Sequence, residues 1–310
     1  MSRYNLLFIL ILIVSLFLSS VQSIENRIVY KVNNEIITSI DITDEFKYLQ
    51  IINPKIINLD KDKIYEISKN SIIREKIKKI EILKIFKDLS ISKEYIDKVL
   101  RNTYLKIGIS SQEDFTEYLN IKGLNFDQFK QKLVIEAKWN EIIFNKFRSK
   151  VKIDKDTIEK NFLLSAKREI KSFSLSEIIF EVNKNENLDK KYKLIKKEIA
   201  NNGYENAALI YSVSDTSNMG GMIGWIDENS LNKKIKKNLD KLKIGDITEP
   251  ITIPGGFLIL KINDEKKIKK ELNVQKEVQK IMNTKLNQQL NQYSNIYFDK
   301  IKKDIKIEKI

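Results

Sequence analysis

The sequence contains no cysteine and no histidine among its 310 residues. The absence of cysteine excludes disulfide bonds, thiol nucleophiles and cysteine-based metal sites. The absence of histidine excludes Ser–His and Cys–His catalysis, most zinc sites, and the commonest general base at neutral pH. We therefore expect no metal and no cofactor. An enzymatic activity would depend on carboxylates, hydroxyls, lysine, tyrosine or backbone groups.

Proline and glycine are also scarce, with three and nine residues respectively. Hydrophobic residues make up 42% of the chain and charged residues 32%. This composition predicts a folded protein with an apolar core, without long disordered tracts. The length of 310 residues favours two domains.

The formal net charge of +14 raises the question of a polyanionic partner, either nucleic acid or an acidic membrane. Lysine supplies nearly all of the 56 basic residues, and only six of them are arginine. Arginine is the residue that contacts phosphates and bases in bidentate fashion. The positive charge is also dispersed in short runs such as "KKIKK" (Lys233–Lys237), between acidic residues. The pattern indicates a bias in amino-acid usage, and we expect no nucleic-acid partner.

The first 23 residues are predicted to be a signal peptide. A short segment with one arginine precedes an apolar run of 13 residues, Leu6–Leu18, and small residues follow up to Ser23. A spanning helix needs about 20 apolar residues, so the run is short for a membrane anchor. We expect cleavage near Ser23 and a periplasmic protein with no membrane span after cleavage. An uncleaved anchor is the alternative.

Residues 24–167 are predicted to form a helical domain. The segment "RIVYKVNNEIITSIDI" (Arg27–Ile42) first predicts a small hairpin, followed by a helix that Ser39 or Asp41 caps. Apolar residues then recur at steps of three and four, for example throughout Ile64–Leu89. This spacing is typical of amphipathic helices.

Residues 168–268 are predicted to form an α+β domain, with helices around a small, mostly antiparallel sheet. Alternating and β-branched residues predict a strand over Arg168–Val182. Two helices, a Ser/Asp/Asn/Gly-rich loop "VSDTSNMGGMIGW" and a third helix follow. Two strands end the domain, and the last of them is "FLILKIND".

Residues 269–310 are predicted to form one long amphipathic helix and a short alternating tail. A helix of about 30 residues cannot bury its apolar stripe alone. We therefore expect it to fold back onto the N-terminal helical domain and to complete it.

Four segments of the α+β domain resemble the parvulin-type (rotamase) peptidyl-prolyl isomerases. They are "LSEIIF", "AALIYSVSDTSNMGGMIGW", "LKIGDITEPITIPGGF" and "GGFLILKIND", in the order that the family has them. The Tyr-Ser loop combined with Gly-Gly-x-x-Gly-Trp is a fairly specific part of the resemblance. Active members carry one histidine on the first strand and another on the last. Glu177 and Leu258 stand at those two positions here.

The rest of the chain extends the resemblance. A signal peptide, an opening like "VNNEIITSIDI", a helical domain, one parvulin unit and a C-terminal helix with a strand tail are similar to SurA-type periplasmic chaperones. The resemblance implies binding of unfolded or proline-containing polypeptides. Outer-membrane proteins, whose strands alternate apolar and polar residues, are the expected clients.

The resemblance also implies a prolyl-binding pocket in the α+β domain. Its candidate catalytic residues are Ser214, Asp215 and Glu177. Its candidate substrate-binding residues are Ile223, Leu231, Ile235, Leu258 and Trp225. Leucine cannot donate a hydrogen bond and glutamate adds a negative charge, so the usual catalytic array is incomplete.

Three interpretations of this pocket are open. The favoured one is a pocket that binds extended or proline-containing segments without useful turnover, because the polar groups that favour a twisted amide are lost. The others are a weak isomerase that desolvates the amide, and a packed core that binds nothing. For the whole protein we predict a chaperone of doubtful or weak isomerase activity. The alternatives are an active isomerase for exported proteins, and a structural envelope protein that uses the fold for assembly.

Overall fold

The computed structural model describes residues 26–164, 169–183, 186–269 and 273–310. The predicted signal peptide and the predicted boundary between residues 167 and 168 lie outside these ranges. The helices are α1 (Ser39–Ile52), α2 (Lys61–Phe86), α3 (Lys93–Lys106), α4 (Gln112–Ile121), α5 (Phe126–Phe147), α6 (Lys155–Leu164), α7 (Leu188–Asn202), α8 (Tyr204–Tyr211), α9 (Lys233–Leu239) and α10 (Val274–Lys302). The strands are β1 (Ile28–Val32), β2 (Glu35–Thr38), β3 (Glu169–Phe180), β4 (Met222–Asp227), β5 (Ile251–Ile253), β6 (Gly256–Lys269) and β7 (Ile307–Lys309).

These elements confirm the predicted α+β class. The helices outnumber the strands, and both sheets are small and antiparallel. Within the described ranges, no helix combines the length and the apolar character that crossing a bilayer requires.

The first sheet brings the two ends of the described chain together. Its strand order is β2-β1-β7, so β1 pairs both with its hairpin partner and with the C-terminal tail. The predicted hairpin is confirmed, but the predicted cap of α1 is wrong. Thr38 is the N-cap: its hydroxyl accepts from the amide of Asp41 at 3.2 Å, and the Asp41 carboxylate accepts from the amide of Thr38 at 2.7 Å. A capping box needs both residues, and the extended backbone of Thr38 places it before the first turn.

Helix α10 packs against α2, α5 and α6. Trp139 of α5 is fully buried in this core, and its ring stacks on Tyr297 of α10 with 5.7 Å between the centroids. The indole Nε1 of Trp139 donates to Ser294 Oγ at 2.8 Å. Each large apolar side chain buried here contributes about 1.5–3 kcal/mol, which is what holds the long helix on the N-terminal helices.

The second sheet has the order β4-β3-β6-β5 and is antiparallel throughout. Part of the segment predicted as a loop belongs to its edge strand β4, so that prediction is wrong over residues 222–225. Its glycines favour a loop locally, but pairing with β3, such as Trp225 with Ser174, overrides the local preference. A bulge between Leu175 and Ser176 accommodates the irregular start of the strand.

The two faces of the second sheet are covered differently. One face packs against α7 and α8, where Tyr204 is buried and its hydroxyl donates to the carbonyl of Ile259 at 2.8 Å. The opposite face carries Phe173, Leu175 and Ile179 of β3 within an apolar cluster that α9 and the segment after α8 help to cover. The candidate site lies on this second face.

Candidate functional site

Two neighbouring strands present the positions at which the resembling family has histidines. Ile179 of β3 pairs with Leu258 of β6, and Glu177 pairs with Leu260. Residues directly opposite each other in a sheet point to the same side, and side chains alternate along each strand. Glu177 and Leu258 therefore share one face of the sheet, the face opposite α7 and α8.

Two hydroxyl groups hold the carboxyl group of Glu177. Ser214 Oγ donates to Glu177 Oε1 at 2.7 Å, and Thr216 Oγ1 donates to the same oxygen at 3.0 Å. Burial raises the pKa of Glu177 above its usual value, although the hydrogen bonds from Ser214 and Thr216 act in the opposite direction. The carboxyl group therefore takes up a proton at a higher pH than an exposed glutamate does.

Both hydroxyls belong to residues 212–217, which follow α8 and are called the site loop below. The amide of Val213 donates to the carbonyl of Ile179 at 2.7 Å, and Ser212 Oγ accepts from the amide of Ile179 at 3.1 Å. The site loop therefore runs alongside β3. Sequence reasoning missed Thr216, which is brought to Glu177 by a turn that the hydrogen bond from the Ser217 amide to the Ser214 carbonyl closes at 3.0 Å.

The backbone of Gly221 packs against the backbone of Glu177. The amide of Glu177 donates to the carbonyl of Gly221 at 2.8 Å. Gly221 has a φ of +79°, and a Cβ atom there would lie 2.2 Å from the carbonyl oxygen of Glu177. A side chain at this position would collide with backbone, so the second glycine of the Gly-Gly pair is what lets the two segments approach.

Asp215 lies between the two residues that bind Glu177 but points away from them. Its Oδ1 accepts from Arg74 and from Lys78, both of α2, at 2.8 Å each. Its Oδ2 accepts from Ser294 of α10 at 2.7 Å. Burial alone would raise the pKa of Asp215, but the charges of Lys78 and Arg74 outweigh it and hold that pKa well below its usual range.

The structure therefore brings two of the three polar candidates together and directs the third elsewhere. Ser214 and Glu177 are hydrogen-bonded on the site face, whereas Asp215 contacts the N-terminal and C-terminal helices. The turn at residues 214–217 directs the Asp215 side chain towards the helices while Ser214 faces Glu177.

Four of the five apolar candidates lie in one cluster on the site face. They are Ile223, Leu231, Ile235 and Leu258. Leu258 is 6% exposed, and Val213 of the site loop packs against the same cluster. This arrangement gives an apolar floor next to the Glu177 carboxyl group.

Trp225 is separated from the other apolar candidates. Its neighbour Ile226 belongs to the cluster on the site face, and consecutive side chains of a strand point to opposite faces. The Trp225 side chain is 44% exposed, and Lys266 Nζ lies 3.9 Å from the centre of its ring. The structure therefore does not bring Trp225 together with Leu258.

A concave feature lies in the helical part, between the segment before α3, helix α5 and helix α10. We call it the cleft; its volume is about 1010 Å³. Apolar residues such as Phe144 and Leu290 alternate in its wall with amides and hydroxyls. Three polar residues of α10 line it at steps of four and three, namely Asn287, Asn291 and Ser294. The helical spacing of these three residues is visible in the sequence, but the other residues that line the cleft come from distant segments of the chain.

Comparison with known proteins identifies part of the chain. Residues 173–264 match the rotamase family model, described as the PPIC-type PPIASE domain. The chaperone SurA of Pseudomonas aeruginosa is 23% identical over 201 residues, which cover 60% of this chain and 48% of that protein. The chaperone SurA of Pseudomonas putida is 25% identical over 166 residues, which cover 50% of this chain and 39% of that protein.

A solved structure described as one of two SurA-like chaperones of Campylobacter jejuni is similar over 92% of this chain and 99% of its own, with 16% identity and a TM-score of 0.36. The chain spans about half the length, or less, of the curated relatives it matches. Residues 173–264 match the PPIC-type rotamase family and are called the rotamase domain below, and the predicted resemblance to parvulin-type domains and SurA-type chaperones is confirmed.

Proposed function

We propose that the protein is an exported chaperone that binds unfolded polypeptides, and that its rotamase domain binds proline-containing segments with weak or no isomerisation. The observation that carries this proposal is the composition of the site face. Glu177 and Leu258 occupy the positions of the family's histidines, and the Glu177 carboxyl group is already hydrogen-bonded to Ser214 and Thr216.

The chemistry explains why little turnover is expected. Rotation about a peptide bond crosses a barrier of about 18–20 kcal/mol, which amide resonance imposes. Catalysis requires groups that bind the twisted amide more strongly than the planar one. Leu258 supplies no donor, and the Ser214 hydroxyl donates to Glu177 rather than to a substrate. The apolar cluster can still desolvate and hold a prolyl ring.

The proposed clients are unfolded or proline-containing polypeptides, with outer-membrane proteins in particular. Support comes from the curated relatives, which are named chaperones, and from the predicted signal peptide, which favours the periplasm. The cleft is lined by both polar and apolar side chains, which can contact such clients. Its amides and hydroxyls suit main-chain hydrogen bonding, while Phe144 and Leu290 suit apolar side chains.

Two assays on the mature chain test the proposal. In a protease-coupled assay with a prolyl tetrapeptide, we expect little acceleration of isomerisation. In an aggregation assay with an unfolded porin-like protein, we expect protection at equimolar chaperone. An isomerisation rate near that of active parvulins would overturn the first part of the proposal. Absence of protection would overturn the second.

A second candidate function is genuine isomerase activity that uses Glu177 as the polar group. The raised pKa of Glu177 favours it, because a protonated carboxyl group can donate a hydrogen bond to the amide. This alternative predicts that the isomerisation rate rises as the pH falls from 8 to 5. Glu177→Gln, which keeps a donor at all pH values, would then abolish the pH dependence. A flat profile in both proteins would exclude this use of Glu177.

A further inference from the structure

Asp215 of the site loop is hydrogen-bonded to residues outside the rotamase domain. Asp215 receives hydrogen bonds from Arg74 and Lys78 of α2 and from Ser294 of α10. Lys78 is 1% exposed and also contacts Glu136 of α5 at 2.6 Å. The two cations are therefore balanced by two carboxylates, and the group as a whole has no excess charge to drive it apart.

The same loop holds the candidate site from inside the domain. Ser214 and Thr216, the neighbours of Asp215 on either side, both donate to Glu177. A displacement of Asp215 moves both hydroxyls, because each is separated from it by a single peptide unit. The geometry of the Glu177 carboxyl group therefore depends on contacts made by the helical part of the chain.

Ser294 extends this dependence to the cleft. It lines the cleft wall, and its hydroxyl donates to Asp215 while accepting from the indole of Trp139. A group that fills the cleft therefore contacts the residue that holds the site loop. No local feature of the rotamase sequence predicts this link, since Ser294 and Asp215 are 79 positions apart.

We propose that Asp215 is a positioning residue that couples the cleft to the rotamase site: through Ser294, occupation of the cleft changes how firmly the site loop is held against Glu177. This inference rests on the proposed function for its biological meaning: a client bound in the cleft would influence the domain that binds prolyl segments. Coupling between sites requires an element whose state both of them influence, and the site loop is that element.

The absence of cysteine makes a direct experiment possible. In the full chain, Asn291→Cys introduces a single thiol on the exposed cleft wall, which a bulky maleimide then modifies. Hydrogen exchange of residues 212–217 is measured before and after labelling. We expect exchange in the site loop to accelerate about tenfold or more, the change expected when a charge-assisted hydrogen bond is weakened. Labelling at Lys84→Cys, whose side chain is 77% exposed, should leave the loop unchanged.

Three further variants test the link itself. Asp215→Asn should accelerate exchange in the site loop without any label. Ser294→Ala should do so to a smaller extent and should remove the additional effect of labelling Cys at position 291. Lys63→Met breaks a different bridge between the helical part and the rotamase domain, the pair of Lys63 and Glu198 at 2.8 Å, and should leave the site loop protected.

The outcomes separate this inference from the proposed function. Unchanged exchange in the site loop of Asp215→Asn, or an equal acceleration in Lys63→Met, would overturn the role of Asp215 as a specific positioning residue. Unchanged exchange after labelling at position 291 would overturn the coupling to the cleft. None of these measurements involves a client or a prolyl peptide. A negative result in the chaperone or isomerase assays would therefore not change the conclusion drawn from the exchange measurements.

Discussion

Lys78 Nζ lies 2.8 Å from Asp215 Oδ1, although 137 positions separate the two residues in the chain. The lysine is one of the most buried side chains of the described structure, and the aspartate belongs to the loop of the rotamase domain that contacts Glu177. The pair joins the helical part of the chain to the candidate site. Its energetic importance can be measured directly.

We expect Lys78→Met to lower the free energy of unfolding by about 1.5–3 kcal/mol, the contribution of a hydrogen bond to a charged group, because Glu136 loses its partner and Asp215 keeps Arg74 but loses Lys78. Urea denaturation followed by circular dichroism measures the change. The matched control is Lys93→Met, which removes the exposed pair of Lys93 and Asp97 and should cost no more than about 0.5 kcal/mol. Equal effects of the two substitutions would contradict the importance of the buried pair.

Much of the fold could be predicted because its signals are local. Steps of three and four mark the helices, and alternation marks β3 and the hairpin of β1 and β2. Alternation on two paired strands also places Glu177 and Leu258 on one face. Strand β4 escapes prediction because Gly224 within it and the two glycines before it favour a loop, and pairing with β3 stabilises it as a strand.

The parts of the site that escaped prediction depend on contacts between distant segments. Adjacency in the sequence groups Asp215 with Ser214, but the partners of Asp215 are Arg74, Lys78 and Ser294. The motif groups Trp225 with the pocket, whereas the register of β4 places its side chain on the other face of the sheet. Neither orientation can be deduced without the tertiary pairing that determines it.

Substitution of Gly221 should be more damaging than substitution of Gly224, although both have positive φ angles. Gly221→Ala places a Cβ 2.2 Å from the carbonyl oxygen of Glu177, whereas Gly224→Ala places one where no atom lies within 4 Å. Gly224→Ala should lower the free energy of unfolding by the backbone strain alone, on the order of 1 kcal/mol. Gly221→Ala should lower it further, because β3 must also be displaced. Thermal unfolding of the two variants tests this order, and similar melting temperatures would contradict it.

Ser214→Ala should raise the pKa of Glu177 further above its usual value. The hydrogen bond from Ser214 favours the charged carboxylate, so its removal leaves burial, which favours the neutral form, less opposed. Carbon-13 NMR titration of the glutamate carboxyl groups, with Glu177→Gln to assign the signal, measures the shift. Ser174→Ala, on the opposite face of β3, should leave the titration of Glu177 unchanged. An unchanged or lowered pKa in Ser214→Ala would show that the hydroxyl does not stabilise the carboxylate.

The end of β3 provides a prediction about pH. Burial and a shared hydrogen bond with Asp299 of α10 raise the pKa of Glu181 to about 7. A carboxyl group whose pKa is higher in the folded state stabilises the fold fully below its unfolded pKa, and this contribution is lost as the pH rises through the folded pKa. The native chain should therefore lose stability relative to Glu181→Gln as the pH rises from 5 to 8. Glu186→Gln is the control, because the pKa of Glu186 is lowered and its titration lies below that window. Melting temperatures of the three proteins, measured at unit steps of pH, test this prediction. Parallel curves of melting temperature against pH for the native chain and Glu181→Gln would rule out a proton shared between β3 and α10.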